Sequence, residues 1–165
     1  MSEYFTQLPF GYAGQIYRSP MPFGAFDPQD VVLDCYRQAG IHVVVMLVSF
    51  EEAYEKTGLD LRCLYRDNGM QVIYLPIPDF DIPAPQSLLA GLAQVQAPAQ
   101  AGHNVAVHCN AGVGRTGLFM ACLARKVFGR SGKAAIAWVQ QYIEHAVETE
   151  IQYSFVESLD LGPAV

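Results

Sequence analysis

The residues with the clearest chemical potential in this sequence are a cysteine and an arginine six positions apart, Cys109 and Arg115. Glycine adopts backbone conformations that other residues avoid, so a glycine-containing loop between them can curl until successive N–H groups point inward. Such a ring of amides at the start of a helix binds an anion the size of phosphate. The residues of this loop, all uncharged, are Asn110, Ala111, Gly112, Val113 and Gly114.

The two residues that flank the loop complement each other chemically. The planar guanidinium of Arg115 can donate to two phosphate oxygens at once, which the single ammonium group of a lysine does less well. Positive charge around Cys109 favours the thiolate form of its side chain. A thiolate beneath a bound phosphate ester is a nucleophile, and the amides of Asn110 through Arg115 would stabilise the charge on the phosphoryl oxygens.

Phosphate transfer to a thiolate also requires an acid, because the alkoxide or phenoxide that leaves must be protonated. In an α/β sheet such a residue is expected in a loop at the carboxyl end of a neighbouring strand. The segment PIPDFDIP follows a predicted strand, Val72–Leu75, and it contains two carboxylates, Asp79 and Asp81. Both are candidates for the acid.

The patterns around these residues predict strands that alternate with helices. Asn104–His108 alternates in the manner of a strand, and His42–Val48 is a continuous apolar run typical of the middle of a parallel sheet. A further short strand is expected within GQIYRSPMPFG, in the aromatic and glycine-rich segment 1–26. We therefore predict an α/β fold with a central, twisted, mostly parallel sheet of about four to five strands, flanked by helices on both faces.

The helices are predicted from apolar periodicity and from their start and stop signals. Asp27 is a candidate cap for a helix that starts at Pro28, and Pro98 is expected to end or bend another helix early. The predicted helical ranges are 28–39, 49–54, 60–67, 85–101, 117–128, 134–144 and 151–159.

Composition limits the classes of protein to which the chain can belong. With 165 residues and 52% hydrophobic content, residues 1–165 are expected to form one domain. A net charge of −6 argues against a nucleic-acid partner, and no apolar run approaches membrane-spanning length. Four scattered cysteines without a secretory leader favour the cytoplasm, and isolated histidines indicate neither a metal nor a cofactor. The sequence contains no indication of an oligomeric state.

The segment HCNAGVGRTG, between a strand and a helix, resembles the signature of the cysteine-dependent protein tyrosine phosphatase superfamily. The resemblance is to its small, atypical dual-specificity and kinase-associated-phosphatase-like members, and it runs from about Tyr17 to Leu159, the expected catalytic core. It implies a phosphatase fold and favours Asp79, thirty positions before Cys109, as the general acid over Asp81. Phe80 either lines the substrate slot or packs the acid loop onto the body.

The resemblance assigns two further catalytic residues. It implies that the hydroxyl of Thr116 hydrogen-bonds the thiolate and helps it to leave, and that Gln152, in VETEIQ, orients the water of the second step. Helix capping by Thr116 and a solvent-facing Gln152 are the ordinary alternatives. Val48 stands where some relatives carry a second, regulatory cysteine, so no protective disulfide is expected, and Cys122 is expected in the core.

The expected function is therefore hydrolysis of phosphotyrosine in a phosphoprotein or phosphopeptide, with phosphoserine and phosphothreonine as further substrates. The chain lacks the Lys-Asn-Arg-Tyr loop of the larger tyrosine-specific enzymes, which argues against strict phosphotyrosine selectivity. The alternatives are a phosphatase for a non-protein monoester, such as an inositol phosphate, a phospholipid or an RNA end, and a phosphate-binding module without turnover. The uncharged loop disfavours polyanionic ligands.

Overall fold

A five-stranded sheet forms the centre of the fold in the computed structural model, which describes residues 4–162. The strands lie side by side in the order β1-β2-β5-β3-β4, and every neighbouring pair is parallel except β1 and β2. The five strands are β1 Thr6–Leu8, β2 Ile16–Ser19, β3 Ile41–Met46, β4 Gln71–Tyr74 and β5 Asn104–His108.

Seven α-helices flank the sheet in the described part of the chain. The predicted α/β class, the mostly parallel sheet and the flanking helices are thus confirmed. The short strand predicted near the start of the chain is β2, and the antiparallel edge strand β1 was not predicted. The helices are α1 Val32–Gln38, α2 Phe50–Thr57, α3 Leu61–Asp67, α4 Pro85–Gln100, α5 Gly114–Phe128, α6 Gly132–Val139 and α7 Glu150–Ser158.

The register of the four parallel strands, β2, β5, β3 and β4, brings their carboxyl ends to one edge of the sheet. His108 at the end of β5 pairs with Ser19 of β2 on one side and with Met46 of β3 on the other. Met46 in turn pairs with Tyr74, the last residue of β4. The segments that follow β5, β3 and β4 are the Cys109 loop, α2 and the acid loop, so these three segments are expected to meet.

The helix predicted to start at Pro28 begins later than expected. Gln29 and Asp30 have left-handed backbone angles, with φ of 63° and 57°, which a right-handed helix excludes, so Pro28–Asp30 forms only a short turn and α1 starts at Val32. Asp27 is not the N-cap residue of α1, because Val31 occupies that position. The Asp27 side chain still holds the start of α1, since its Oδ1 accepts the N–H groups of Val31 and Val32 at 3.0 and 3.2 Å.

The prediction that Pro98 ends or bends its helix early is wrong about the end, because α4 continues to Gln100. Proline removes one hydrogen bond from a helix, but burial and hydrogen bonds around the last turn stabilise the continuation of α4. Ala99 is fully buried and its carbonyl accepts the N–H of Gly14, while the Pro98 carbonyl accepts the N–H of His103. The predicted helix 134–144 in turn ends at Val139, and an irregular segment leads from there to α7.

Candidate active site

The Cys109 loop has the curled shape that the sequence predicts. Cys109 is buried directly after β5, and the N–H of Gly112 donates to its Sγ at 3.3 Å. On the outer side of the loop, the Asn110 carbonyl accepts the N–H of Met21 at 2.9 Å. Because the carbonyl and the following N–H of a trans peptide point in opposite directions, this bond turns the Ala111 N–H away from Met21.

Gly112 is required at its position for two separate reasons. Its φ of +76° lies in the left-handed region that side chains disfavour. A Cβ at this position would also lie 2.4 Å from the carbonyl oxygen of Ser19, which belongs to the neighbouring strand β2. The loop is therefore packed against the end of β2 without space for a side chain.

We expect Gly112→Ala to lose at least roughly 10²-fold in kcat/KM, because the clash with the Ser19 backbone displaces the amides that bind phosphate. Gly58→Ala is the matched control: Gly58 has a φ of +72°, but a Cβ there would meet nothing within 4 Å. Both variants carry the left-handed strain of about 1 kcal/mol, visible in thermal unfolding. Wild-type turnover by Gly112→Ala would contradict this account of the loop.

Arg115, at the start of α5, is buried, and carboxylates and one backbone carbonyl hold its guanidinium in a fixed orientation. Its guanidinium donates to both oxygens of Glu52, at 2.8 and 2.9 Å, and to the Ile77 carbonyl at 3.0 Å. Its Nη2 also lies 3.2 Å from Oδ1 of Asp79. Burial alone would lower the pKa of Arg115, but Glu52, Cys109 and Asp79 together raise it above its ordinary value, so the side chain stays a cation.

Glu52, the main partner of Arg115, was not predicted from the sequence. It lies in the first turn of α2, where its N–H donates to the Ser49 cap at 3.0 Å and Lys56 lies 3.1 Å from its Oε1. Burial by itself raises the pKa of Glu52, but Arg115 and Lys56 outweigh burial and lower that pKa below its usual value. Glu52 is therefore an anion at neutral pH and holds the guanidinium in a fixed plane.

The structure brings Asp79, the preferred acid candidate, to Arg115. The Asp79 side chain is 46% exposed, and its Oδ1 also accepts the N–H of Phe80 at 3.1 Å. Asp81 is engaged locally, because its Oδ1 accepts the N–H of Ile82 at 2.8 Å. The geometry thus supports the choice of Asp79, and its role as the acid stays a prediction.

Phe80 is 58% exposed and lies beside the site rather than packed into the body. Its backbone is left-handed, with a φ of 59°, and its carbonyl accepts the hydroxyl of Thr149 at 3.2 Å. Of the two predicted roles, exposure of the ring favours substrate contact over packing. The ring borders an open cavity of about 530 Å³, which is also lined by Gln140, His145, Val147, Glu148 and Tyr153.

The two residues assigned by resemblance alone are both fully buried, Thr116 after Arg115 and Gln152 in α7. The Thr116 hydroxyl has no hydrogen-bond partner within residues 4–162. Gln152 forms a capping box with Thr149, and its Nε2 donates to the Asp81 carbonyl at 3.2 Å. Gln152 therefore connects α7 to the acid loop, and its role toward water stays a prediction.

His108, directly before the nucleophile candidate, holds the loop in position through hydrogen bonds of its ring. Burial lowers the pKa of His108 to about 4, so the ring is neutral at physiological pH. Its Nδ1 lies 2.9 Å from the Cys109 carbonyl, which can only accept, so Nδ1 carries the hydrogen. Nε2 then accepts the hydroxyl hydrogen of Tyr65 at 2.7 Å, which anchors the loop to α3.

Cys122 and Val48 lie in the core, as the sequence indicates. Both are fully buried, and burial raises the pKa of the Cys122 thiol to about 12. Such a thiol is inert at neutral pH. Across residues 4–162, no cluster of His, Cys, Asp and Glu side chains is arranged to hold a metal ion, and no helix is both long and apolar enough to cross a membrane.

The fold and the site define the class of protein. A curled Cys-x₅-Arg loop between a parallel strand and a helix, on a sheet of this topology, is that of the cysteine-dependent protein tyrosine phosphatase superfamily, as the sequence resemblance predicted. Residues 24–127, well over half of the chain, match the family model described as "Polymorphic toxin system, DSP-PTPase phosphatase", and the chain belongs to that family.

Individual proteins resemble the chain in part of its sequence or in its fold. Laforin from Mus musculus is 41% identical over 54 residues, a segment that covers 32% of this chain and 16% of laforin. Kinase associated phosphatase (KAP), with its catalytic-site cysteine substituted by serine, superimposes with a TM-score of 0.83 at 18% identity, over 93% of this chain and 91% of that one. Tk-PTP in its active form has a TM-score of 0.78 at 26% identity, over 93% and 95% of the two chains.

Proposed function

We propose that this phosphatase hydrolyses phosphotyrosine in proteins, and phosphoserine and phosphothreonine as further substrates, through a phosphocysteine on Cys109. One observation carries the proposal: the Gly112 N–H is directed at Cys109 Sγ, while Arg115 and Asp79 meet 3.2 Å apart beside the same loop. Binding alone requires neither a nucleophile nor an acid, so their presence together favours an enzyme over a binding module.

In the first step the phosphate occupies the loop, where the amides of residues 110–115 and the Arg115 guanidinium bind its oxygens. Cys109 Sγ attacks phosphorus opposite the leaving oxygen, so an S–P bond forms as the P–O bond breaks. Asp79 gives its proton to the departing oxygen. Phosphate competes with Asp79 for Arg115, which frees the Asp79 carboxyl to face the leaving group.

In the second step water attacks the phosphocysteine, and inorganic phosphate and the Cys109 thiolate are released. The buried Thr116 hydroxyl, without a partner in the described residues, is the donor that would stabilise this thiolate. Gln152 is proposed to orient the attacking water. Its Oε1 already accepts the backbone N–H groups of Glu148 and Thr149, so only the second N–H of its amide is available.

The charges around the loop support a protein substrate over a polyanionic one. Glu52, Asp79 and Glu148 all interact with Arg115, and the residues between Cys109 and Arg115 are uncharged. Additional phosphate groups next to the scissile one would meet these carboxylates. Of the structures with the same fold, PTPMT1 was solved in complex with PI(5)P and SIW14 from S. cerevisiae is a PP-IP phosphatase, so such ligands are the alternatives to test.

Two broader proposals accompany this one. We propose that the whole chain, residues 1–165, is a single phosphatase domain that needs no cofactor. We also propose that the protein acts in a reducing compartment such as the cytoplasm, because its four cysteines are all free thiols.

A phosphate-release panel tests the substrate class. We expect phosphotyrosine peptides to give the highest kcat/KM, phosphoserine and phosphothreonine peptides lower values, and phosphoinositides, inositol polyphosphates and 5′-phosphorylated RNA the lowest. Each ligand is assayed beside Cys109→Ser to exclude a contaminating phosphatase. A higher kcat/KM for any of the non-protein ligands would assign the enzyme to that substrate class instead.

A further inference from the structure

The cavity of about 530 Å³ beside Phe80 has no part in the two chemical steps. Phe80 belongs to the acid loop, and the other residues that line the cavity belong to α7 or to the segment between α6 and α7. The lining combines one carboxylate, that of Glu148, with two aromatic rings, those of Phe80 and Tyr153. This combination is suited to a cation.

Glu148 joins the cavity to the phosphate loop. A Cβ added to Gly114, the last loop residue before Arg115, would lie 2.0 Å from Glu148 Oε2 and 2.9 Å from its Cδ. The carboxylate therefore occupies the space beside Gly114, at the edge of the loop. Consecutive Cα atoms are only about 3.8 Å apart, so residues next to a phosphorylated side chain in the loop can reach the cavity.

Hydrogen bonds hold this wall of the cavity in place. The backbone N–H of Glu148 donates to Oε1 of Gln152 at 2.9 Å, and the Thr149 hydroxyl donates to the Phe80 carbonyl at 3.2 Å. On the other side of the cavity, Nε2 of Gln140 donates to the Tyr153 hydroxyl at 2.8 Å. A site that is already ordered loses little conformational entropy when a ligand binds.

The charge of Glu148 is not balanced by a salt bridge within residues 4–162, because the nearby Arg115 is taken by Glu52 and Asp79. Partial burial raises the pKa of Glu148, the charge of Asp79 raises it further, and the charge of Arg115 acts in the opposite direction. A ligand cation beside Glu148 would offset both the burial and the repulsion from Asp79. A ligand anion would add to that repulsion.

The two aromatic rings favour arginine over lysine as the source of this cation. Phe80 and Tyr153 are both exposed, so the faces of their rings are accessible from the cavity. A planar guanidinium can stack on such a ring and at the same time donate hydrogen bonds to a carboxylate. His145 also lines the cavity, but its Nε2 lies 3.6 Å from the carboxylate of Glu144.

We propose that this cavity is a substrate subsite that binds an arginine close in sequence to the phosphorylated residue of a phosphoprotein. The guanidinium donates to the Glu148 carboxylate and stacks on Phe80 or Tyr153, while the phosphate occupies the loop. The subsite names the kind of phosphoprotein that the enzyme prefers, and it rests on the proposed protein phosphatase function.

An arginine scan of a phosphotyrosine peptide tests the subsite. Each peptide carries Arg, Gln or Glu at one position near the phosphotyrosine in an otherwise neutral sequence, and all positions on both sides are covered. At one position, or at two adjacent ones, we expect kcat/KM for the Arg peptide to exceed that for the Gln peptide by roughly five- to tenfold. The Glu peptide is expected to give the lowest value.

Glu148→Gln is expected to reduce the preference for Arg over Gln to about twofold, the part that the rings retain. This ratio compares peptides on the same variant, so a change in basal activity does not affect it. Tyr153→Leu keeps the carboxylate and is expected to lower the preference roughly twofold. Glu144→Gln is the matched control, because Glu144 is exposed and does not line the cavity, and it is expected to keep the wild-type preference.

Equal kcat/KM values for the Arg, Gln and Glu peptides at every position would overturn the subsite. So would a preference for Glu, or an arginine preference that is unchanged in Glu148→Gln. Failure of the proposed function would look different, because the phosphopeptides would then not be hydrolysed at all while a non-protein phosphate ester would be. That result would overturn the function and the subsite together.

Discussion

Cys109→Ser is expected to abolish turnover and to leave phosphate binding intact. A serine hydroxyl at this position stays protonated and lacks the nucleophilicity of a thiolate, so we expect kcat to fall by roughly 10⁴-fold or more. The exchange of sulfur for oxygen leaves the loop amides and the Glu52–Arg115 pair in place. Calorimetric titration with tungstate, a phosphate analogue, is expected to give a Kd close to that of wild type.

Cys63→Ser is the control for this variant. Cys63 lies in α3, where it is partly exposed and hydrogen-bonds Asp60, so the same chemical change occurs away from the loop. We expect wild-type kcat from it. Measurable hydrolysis by Cys109→Ser above the level of the assay background would reject Cys109 as the nucleophile.

Asp79→Asn is expected to show the second-largest loss, and the loss depends on the leaving group. Asparagine has nearly the same shape but no proton of suitable acidity, so kcat/KM for a phosphotyrosine peptide is expected to fall roughly 10²- to 10⁴-fold. For aryl phosphates whose leaving groups need little protonation the loss shrinks. A plot of log kcat/KM against leaving-group pKa is therefore expected to be steeper for the variant than for wild type.

Asp81→Asn is the matched control, because it removes a carboxylate two residues away in the same loop. Its Oδ1 accepts only the neighbouring Ile82 N–H among the hydrogen bonds in the described structure, so we expect a small effect on kcat/KM. If Asp81→Asn gave the large loss and the steeper plot while Asp79→Asn did not, the acid would be Asp81.

The phosphate loop could be predicted from the sequence because its determinants are local. Two glycines, a buried cysteine and the start of a helix lie within seven residues, and an alternating apolar strand precedes them. A parallel sheet brings the segment after β4 to the same edge as the loop, so the strand pattern alone is enough to predict that Asp79 lies near Cys109.

Glu52 could not be predicted in this way, because its role depends on a contact across 63 positions of the chain. In the sequence it follows a serine at the spacing of a helix-capping pattern and precedes a lysine by four residues, which is typical of a solvated helix face. The direction of α2 after β3 turns that first helical turn toward Arg115. Only the tertiary structure contains this information.

The approach of Glu148 to the phosphate loop could not be predicted for a different reason. The approach of its carboxylate to Gly114 follows from left-handed backbone angles at His145 and Val147, two residues whose types do not favour them. The helix around Pro98 is a second example. Proline usually ends a helix, but here the next residue, Ala99, is buried and α4 continues to Gln100. In both places tertiary contacts override local preference.

The central claim, that Cys109 is a reactive sulfur at the floor of a phosphate site, is tested most directly by alkylation. At neutral pH, iodoacetate, itself an anion, is expected to modify Cys109 ahead of Cys35, Cys63 and Cys122. Peptide mapping is expected to show one label per enzyme, activity lost in proportion to that label, and protection by inorganic phosphate. Full activity in enzyme alkylated at Cys109, or labelling of Cys35 or Cys63 in its place, would contradict the account.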